Sequence, residues 1–143
     1  MNRHVLVTAL KKFDRGDDFY DIGSTCLVSE HTAEQLEERG LAEDTTAATV
    51  SYINPTDLHE GVDTSTVAWT IRMPEPAQYV EGTVLTVYDA NKNAATNNIT
   101  IKSYDGTTTY TTIAADEGYA QFYVTSEGEY VVLDLSDYVE PTS

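Results

Sequence analysis

Residues 84–101 read Val84-Leu85-Thr86-Val87-Tyr88-Asp89-Ala90-Asn91-Lys92-Asn93-Ala94-Ala95-Thr96-Asn97-Asn98-Ile99-Thr100-Ile101, and this stretch decides the fold. Its two ends are built from β-branched, aliphatic and aromatic residues, which suit a half-buried pleated surface. Between them, Asp and Asn bond their own backbone and tolerate the left-handed region, so Asp89 to Asn93 forms a tight turn and Asn97-Asn98 caps the entry to the next strand. The reading is strand, polar turn, strand. Ile99 and Ile101 then share one side of the second strand, with Thr100 and Lys102 on the other.

The same pattern extends in both directions. Candidate strands lie at Val50 to Ile53, Val67 to Met73, Thr83 to Tyr88, Asn97 to Ser103, Thr108 to Ala114, Tyr119 to Thr125 and Tyr130 to Leu133. The spacers hold Pro74, Pro76, Gly82, Asp105-Gly106, Gly118 and Gly128, turn residues at about the interval of an all-β sandwich or a β-rich fibre module. Residues Tyr104 to Ala114 are dense in Thr and Tyr, which argues against a helix there.

The first third has a different character. His4 to Phe13 alternates as a strand does, Asp14-Arg15-Gly16-Asp17-Asp18 supplies a hairpin turn, and Ser24 to Val28 is a second short strand. Arg15-Gly16-Asp17 is also the tripeptide of integrin ligands, but the plain reading is an acidic turn. A helix pattern then runs to Arg39, with Ser29 and Thr32 competing as the N-cap and Gly40 placed for a left-handed stop. Ala33 and Leu36 with Leu41 give it one narrow apolar face. The small polar run from Ala42 to Thr49 reads as a linker. The expected organisation is therefore mainly β: a ββα module over residues 1–44 and a β-rich, sandwich-like or fibre-type domain over 45–143.

Charge excludes several functions. The chain carries 8 basic against 24 acidic residues, a formal net charge of −16, and the bases are scattered among acids. Such a surface repels a phosphate backbone and an anionic leaflet, so no nucleic-acid or membrane partner is expected. One cysteine, Cys26, rules out an intrachain disulfide and a Cys-rich metal site, and reads as a buried apolar residue. The first residues lack the length and cleavage pattern of a signal peptide, so synthesis in the cytoplasm is expected.

Two segments carry a family resemblance. His4 to Glu43, with Tyr20-Asp21-Ile22-Gly23, Ala33-Glu34-Gln35-Leu36 and Gly40-Leu41-Ala42-Glu43, resembles a small module at the start of several phage virion proteins. Val67 to Leu133, with Ile71-Arg72-Met73-Pro74, the 84–101 stretch and Thr125-Ser126-Glu127-Gly128-Glu129-Tyr130-Val131-Val132, resembles the β module repeated in phage fibres and head-attached decoration proteins. The chain departs from that module at Lys92, where Gly is usual, and at Tyr130, where an indole is common. The resemblance implies a structural protein of a tailed-phage particle, a capsid decoration (cement) or head-fibre protein on the capsid exterior. It also implies a homotrimer, with the major capsid protein as partner. An adhesin module that binds a host-surface glycan is the alternative.

No catalytic constellation stands out, and the expectation is a non-enzyme without cofactor or metal. His4, His31 and His59 lie in separate segments with no metal-ligand spacing. The Asp89, Asn91, Asn93 triplet and Asp116-Glu117 are the places a cation would be sought, but the triplet lacks the Gly and terminal Glu of a calcium loop. Tyrosine is over-used, with ten against one Trp and three Phe. Tyr79, Tyr88, Tyr104, Tyr110, Tyr119 and Tyr123, with Trp69, are the candidate contacts. They serve either between protomers or on a sugar ring, since both uses exploit a flat apolar face with a polar edge.

Overall fold

A computed structural model of the chain describes residues 3–16 and 18–134. Asp17 of the Arg-Gly-Asp tripeptide and the last nine residues of the expected β domain, 135–143, lie outside the described residues.

The N-terminal strand β1 (His4–Ala9) turns Val5, Val7 and Ala9 inward, and β4 (Thr25–Ser29) pairs antiparallel with it, Val5 opposite Val28 and Val7 opposite Cys26. Between them the chain detours through a two-stranded ribbon, β2 (Phe13–Arg15) and β3 (Asp18–Tyr20), closed by Gly16 at φ 63° and by the Phe13 and Tyr20 rings 5.1 Å apart. Helix α1 (Glu30–Glu38) follows at once. Ser29 is its N-cap, accepting from the Thr32 N–H at 3.2 Å. At the other end Gly40 is left-handed and the Leu41 N–H reaches back to the Leu36 carbonyl at 2.9 Å, the bond that closes a Schellman stop. Ala33 and Leu36 seat the helix on Val5, Val7, Val28 and Ala42, which form a small core of their own.

Where a linker was expected, Ala42–Asp44 is strand β5, paired with the other side of β1. Its reason is an open edge: β1 needs a partner there, and Ala42, almost wholly buried, is small enough to lie under the helix. Thr46 continues the closure by accepting the Leu6 N–H on its hydroxyl at 2.8 Å. Strand β6 (Val50–Tyr52) then joins β1 through His4 opposite Tyr52, so one seven-stranded sheet crosses residue 45.

Strands β8 (Trp69–Arg72), β10 (Ile99–Lys102) and β11 (Thr109–Ile113) extend the large sheet in the order β11-β10-β8-β6-β1-β4. Strands β7 (His59–Val62), β9 (Val84–Asp89), β12 (Tyr119–Val124) and β13 (Tyr130–Asp134) form a four-stranded sheet in the order β13-β12-β9-β7. From β6 to β10 successive strands alternate between the two sheets, after which β10–β11 and β12–β13 are antiparallel hairpins, one in each sheet. Because a strand of one sheet intervenes each time, β6–β8, β8–β10 and β7–β9 are parallel pairs within a sandwich-like fold. The main core lies between the sheets, with Ile71, Ile99, Ile101 and Ile113 meeting Leu85, Val87, Phe122 and Val124. Truncating the fully buried Phe122 to Ala removes a ring from this layer, at a cost of about 3–5 kcal/mol.

Asp89 ends β9 facing inward and is 6% exposed. Its carboxylate accepts from the Thr64 hydroxyl and from the backbone N–H groups of Ala94 (2.9 Å), Glu117 (3.1 Å) and Asn91 (3.3 Å). Burial pushes its pKa up, but these donors outweigh it and hold the carboxyl below its ordinary value. The buried Thr64 carbonyl in turn accepts from the Asn93 and Asn97 amides, at 3.1 and 2.8 Å. Lys92, where the resembled module carries Gly, sits at φ 59°, in the left-handed region.

Candidate functional site: the outer face of the four-stranded sheet

Alternation along a strand sends every second side chain to the face away from the core. On β9, Leu85, Val87 and Asp89 point in, which leaves Val84, Thr86 and Tyr88 outside. On β12 the outward set is Tyr119, Gln121 and Tyr123; on β13 it is Val131 and Leu133; on β7 it is His59 and Gly61. Register places these side by side: Tyr119 is opposite Tyr88, Gln121 lies between Thr86 and Leu133, and Tyr123 lies between Val84 and Val131. Exposure of Val84, Tyr88, Tyr119, Tyr123, Val131 and Leu133 runs from 39% to 49%, so they make one continuous patch.

None of these ten outward positions is Asp, Glu, Lys or Arg. In a chain of net charge −16 that is the surface best suited to contact, because an apolar partner meets it without desolvating a carboxylate. Tyr88 also lies flat: a Cβ added at Gly61 would stand 2.8 Å from the ring Cζ and hydroxyl, so the glycine makes room for the ring.

The candidate residues therefore divide. Tyr88, Tyr119 and Tyr123 come together on this face, and the other four do not. The Trp69 indole donates to the Asp63 carbonyl at 2.8 Å and packs against the main core, with the Arg3 guanidinium 5.8 Å over its ring. The Tyr79 hydroxyl donates to the Pro55 carbonyl at 2.9 Å, and burial, helped by Asp57, pushes its pKa up to about 12. Tyr104 rests edge-on against Tyr52 at 5.4 Å, and Arg72 donates to its carbonyl at 3.0 Å while lying over the Tyr52 ring. Tyr110 joins Phe122 and Tyr130 in an edge-to-face cluster, centroids 5.6–5.9 Å apart. Tyr130 is half-buried on the core side of β13 and donates to the Pro74 carbonyl at 2.7 Å; desolvation raises its pKa strongly.

Sequence reasoning passed over Val84, Val131, Leu133 and Gly61. The signal was present in two runs, Val84-Leu85-Thr86-Val87-Tyr88 and Tyr130-Val131-Val132-Leu133, which are apolar on both faces although only one can face the core.

Other groups are spent on structure. Asp89 is saturated by the turn it organises, and the exposed Asp116 accepts the Ala95 N–H at 3.0 Å. Cys26 is half-buried against the small core, and burial raises its thiol pKa. An open cavity of about 580 Å³ lies between the start of α1 and the β6–β7 loop, lined by Arg3, His4, Glu30, His31, Asn54 and Asp57 with Ser29. Its size suits a small ligand, but its walls are polar and its cation is committed. Arg3 bonds Glu30 (2.8 Å) and the carbonyls of Val50 (3.0 Å) and Ala47 (2.8 Å). Among the described residues no group of three or more His, Cys, Asp or Glu is placed to hold a metal ion, and no helix is long and apolar enough to cross a membrane. No protein-family model matches the chain, and no curated protein matches it.

Proposed function

We propose that the chain is a non-catalytic structural protein of a tailed-phage particle, a capsid decoration (cement) or head-fibre protein that docks on the shell and stabilises it or projects from it. The observation that carries a contact role is the uncharged Tyr, Val and Leu face on an otherwise acidic molecule. The phage reading draws on the resemblance of residues 84–101. There Asp89, Asn93, Ala94 and Asn97 each hold the turn together, and the position where the resembled module has Gly needs a left-handed backbone. In this reading residues 1–44 dock on the major capsid protein, the chain is a homotrimer on the capsid exterior, and neither cofactor nor nucleic acid is involved.

A second reading, a module binding a host-surface glycan, is favoured by the adjacency of Tyr88 and Tyr119, since tyrosine rings stack on sugars. Quantitative mass spectrometry of purified particles separates the two. A decoration protein is present in numbers comparable to the capsid protein; a handful of copies per particle, with retention on immobilised host glycans, would reverse the order.

A further inference from the structure

We infer that two adjoining rows on the outer face of the four-stranded sheet, Tyr119, Tyr88 and Gly61 in one and Gln121, Thr86 and His59 in the other, form a platform for a neutral pyranose oligosaccharide. The inference deepens the second reading above, on which it rests: it names the class of glycan and assigns the contacts.

A sugar ring carries C–H groups on its faces and hydroxyls at its edge, so it is held by an exposed aromatic ring with hydrogen-bonding groups beside it. Both occur here at neighbouring register positions. Tyr88 lies over Gly61 with 41% of its surface exposed, and Tyr119 stands opposite it. Two residues along the strands, about 6.8 Å away, Gln121, Thr86 and His59 sit side by side on three strands, a span of about 9.6 Å. A pyranose stacked on Tyr88 therefore has its edge toward an amide, a hydroxyl and an imidazole. A further step of about 6.8 Å reaches Tyr123, a second ring beside Val84, so the face accepts a short chain of sugars laid along the strands.

The polar groups of the face are unspent. The Tyr79 and Tyr130 hydroxyls donate to backbone carbonyls, whereas no hydrogen bond among the described residues engages the side chains of Tyr88, Tyr119, Tyr123, Gln121, Thr86 or His59. A wholly apolar partner would strip water from these groups and leave them unpaired; sugar hydroxyls take the water's place. Charge then selects among sugars. The chain carries −16 and none of the outward positions of this face is Lys or Arg, so sialic acids, uronates and sulfated sugars are repelled and neutral ones admitted.

The test is an NMR titration of the isotope-labelled full chain with neutral trisaccharides of glucose, galactose, mannose and N-acetylglucosamine, and with sialyllactose as the anionic probe. The expected result is saturable binding of a neutral trisaccharide, with the largest shifts at Tyr88, Thr86, Gln121 and His59, and none of sialyllactose. That map is read on the unaltered chain and needs no variant to fold. Tyr88→Ala should weaken the binding about tenfold and Gln121→Ala about fivefold while the cooperative melt persists. Phe19→Asp, on the exposed ribbon, should leave it unchanged. Binding of sialyllactose alone, or neutral binding that maps away from these rows or survives both face substitutions, overturns the inference and leaves the glycan reading standing. Binding of none of the probes overturns both.

Discussion

The ring of Tyr88 covers Gly61 on the neighbouring parallel strand, so closely that a Cβ at residue 61 would meet the ring Cζ and hydroxyl at 2.8 Å. The atoms in the way are the tip of a side chain, which can swing aside. Gly61→Ala should therefore cost less than about 1 kcal/mol, because the better strand preference of Ala offsets the lost ring contact. The ring should lift from the sheet, read as a shift of the Tyr88 ring resonances. A loss of more than 3 kcal/mol in denaturant unfolding would mean that the ring is locked, contrary to its exposure of 41%.

Arg3 ties the first unit to the second. Its guanidinium bonds Glu30 at the head of the helix, the carbonyls of Ala47 and Val50, and lies over Trp69. Arg3→Met keeps much of the apolar stem and removes the donors, and should lower stability by about 2 kcal/mol. Limited elastase digestion should cut within residues 45–49, where Ala47 and Ala48 are exposed, and faster in the variant than in the parent chain. First cleavage inside Val67 to Leu133 would show that the division at residue 45 does not describe how the protein opens.

Two inward-facing carboxylates of the small sheet act on stability with opposite signs. Glu60, 8% exposed on β7, has its pKa pushed up to about 7 by burial and then by Asp57. Its folded pKa lies above its unfolded value, so ionisation costs stability as pH rises from about 4.5 to about 7. Asp89 has a folded pKa below its unfolded value; its contribution is present above the ordinary carboxylate range and is lost as pH falls through the folded pKa. Stability should peak on the acid side of neutrality and decline toward pH 8. Glu60→Gln should flatten that decline, gaining about 2–3 kcal/mol at pH 8 and little at pH 4.5. Equal pH profiles for the two proteins in urea titrations would remove Glu60 as the cause.

Lys92 pays for a left-handed backbone at φ 59° and gains an exposed ion pair with Glu117 at 3.0 Å. A non-glycine residue there costs about 1 kcal/mol, and exposed pairs return little. Lys92→Gly should raise the melting temperature by a few degrees. Lys92→Val should lower it, since a β-branched residue fits that region worst. A lower melting temperature for the glycine variant would show that the ion pair outweighs the strain.

Much was legible in advance. Gly40 and the Ala33/Leu36 stripe marked the helix because caps and a 3.6-residue period are local properties, while the choice of Ser29 over Thr32 as N-cap was made only by the fold. The Asp89 turn was legible for the same reason: side chains of Asp and Asn bond the backbone a few residues away. Strand β5 was hidden, since Ala42-Glu43-Asp44 has no propensity of its own and is strand only because β1 offers an open edge. Strand β7 was hidden too, with Gly61 in its middle chosen for the ring above it rather than for its own preference.

The sequence by itself determined that the chain is mainly β, where the helix stops, and that the chain is strongly acidic. Only the tertiary structure decided which tyrosines are available. Tyr110 and Tyr123 both lie in β strands, yet one is locked in a ring cluster beside the core and the other faces outward. Period-two alternation tells which residues share a side of a strand; the inner side is set by the sheet that packs against it, through contacts far apart in the chain.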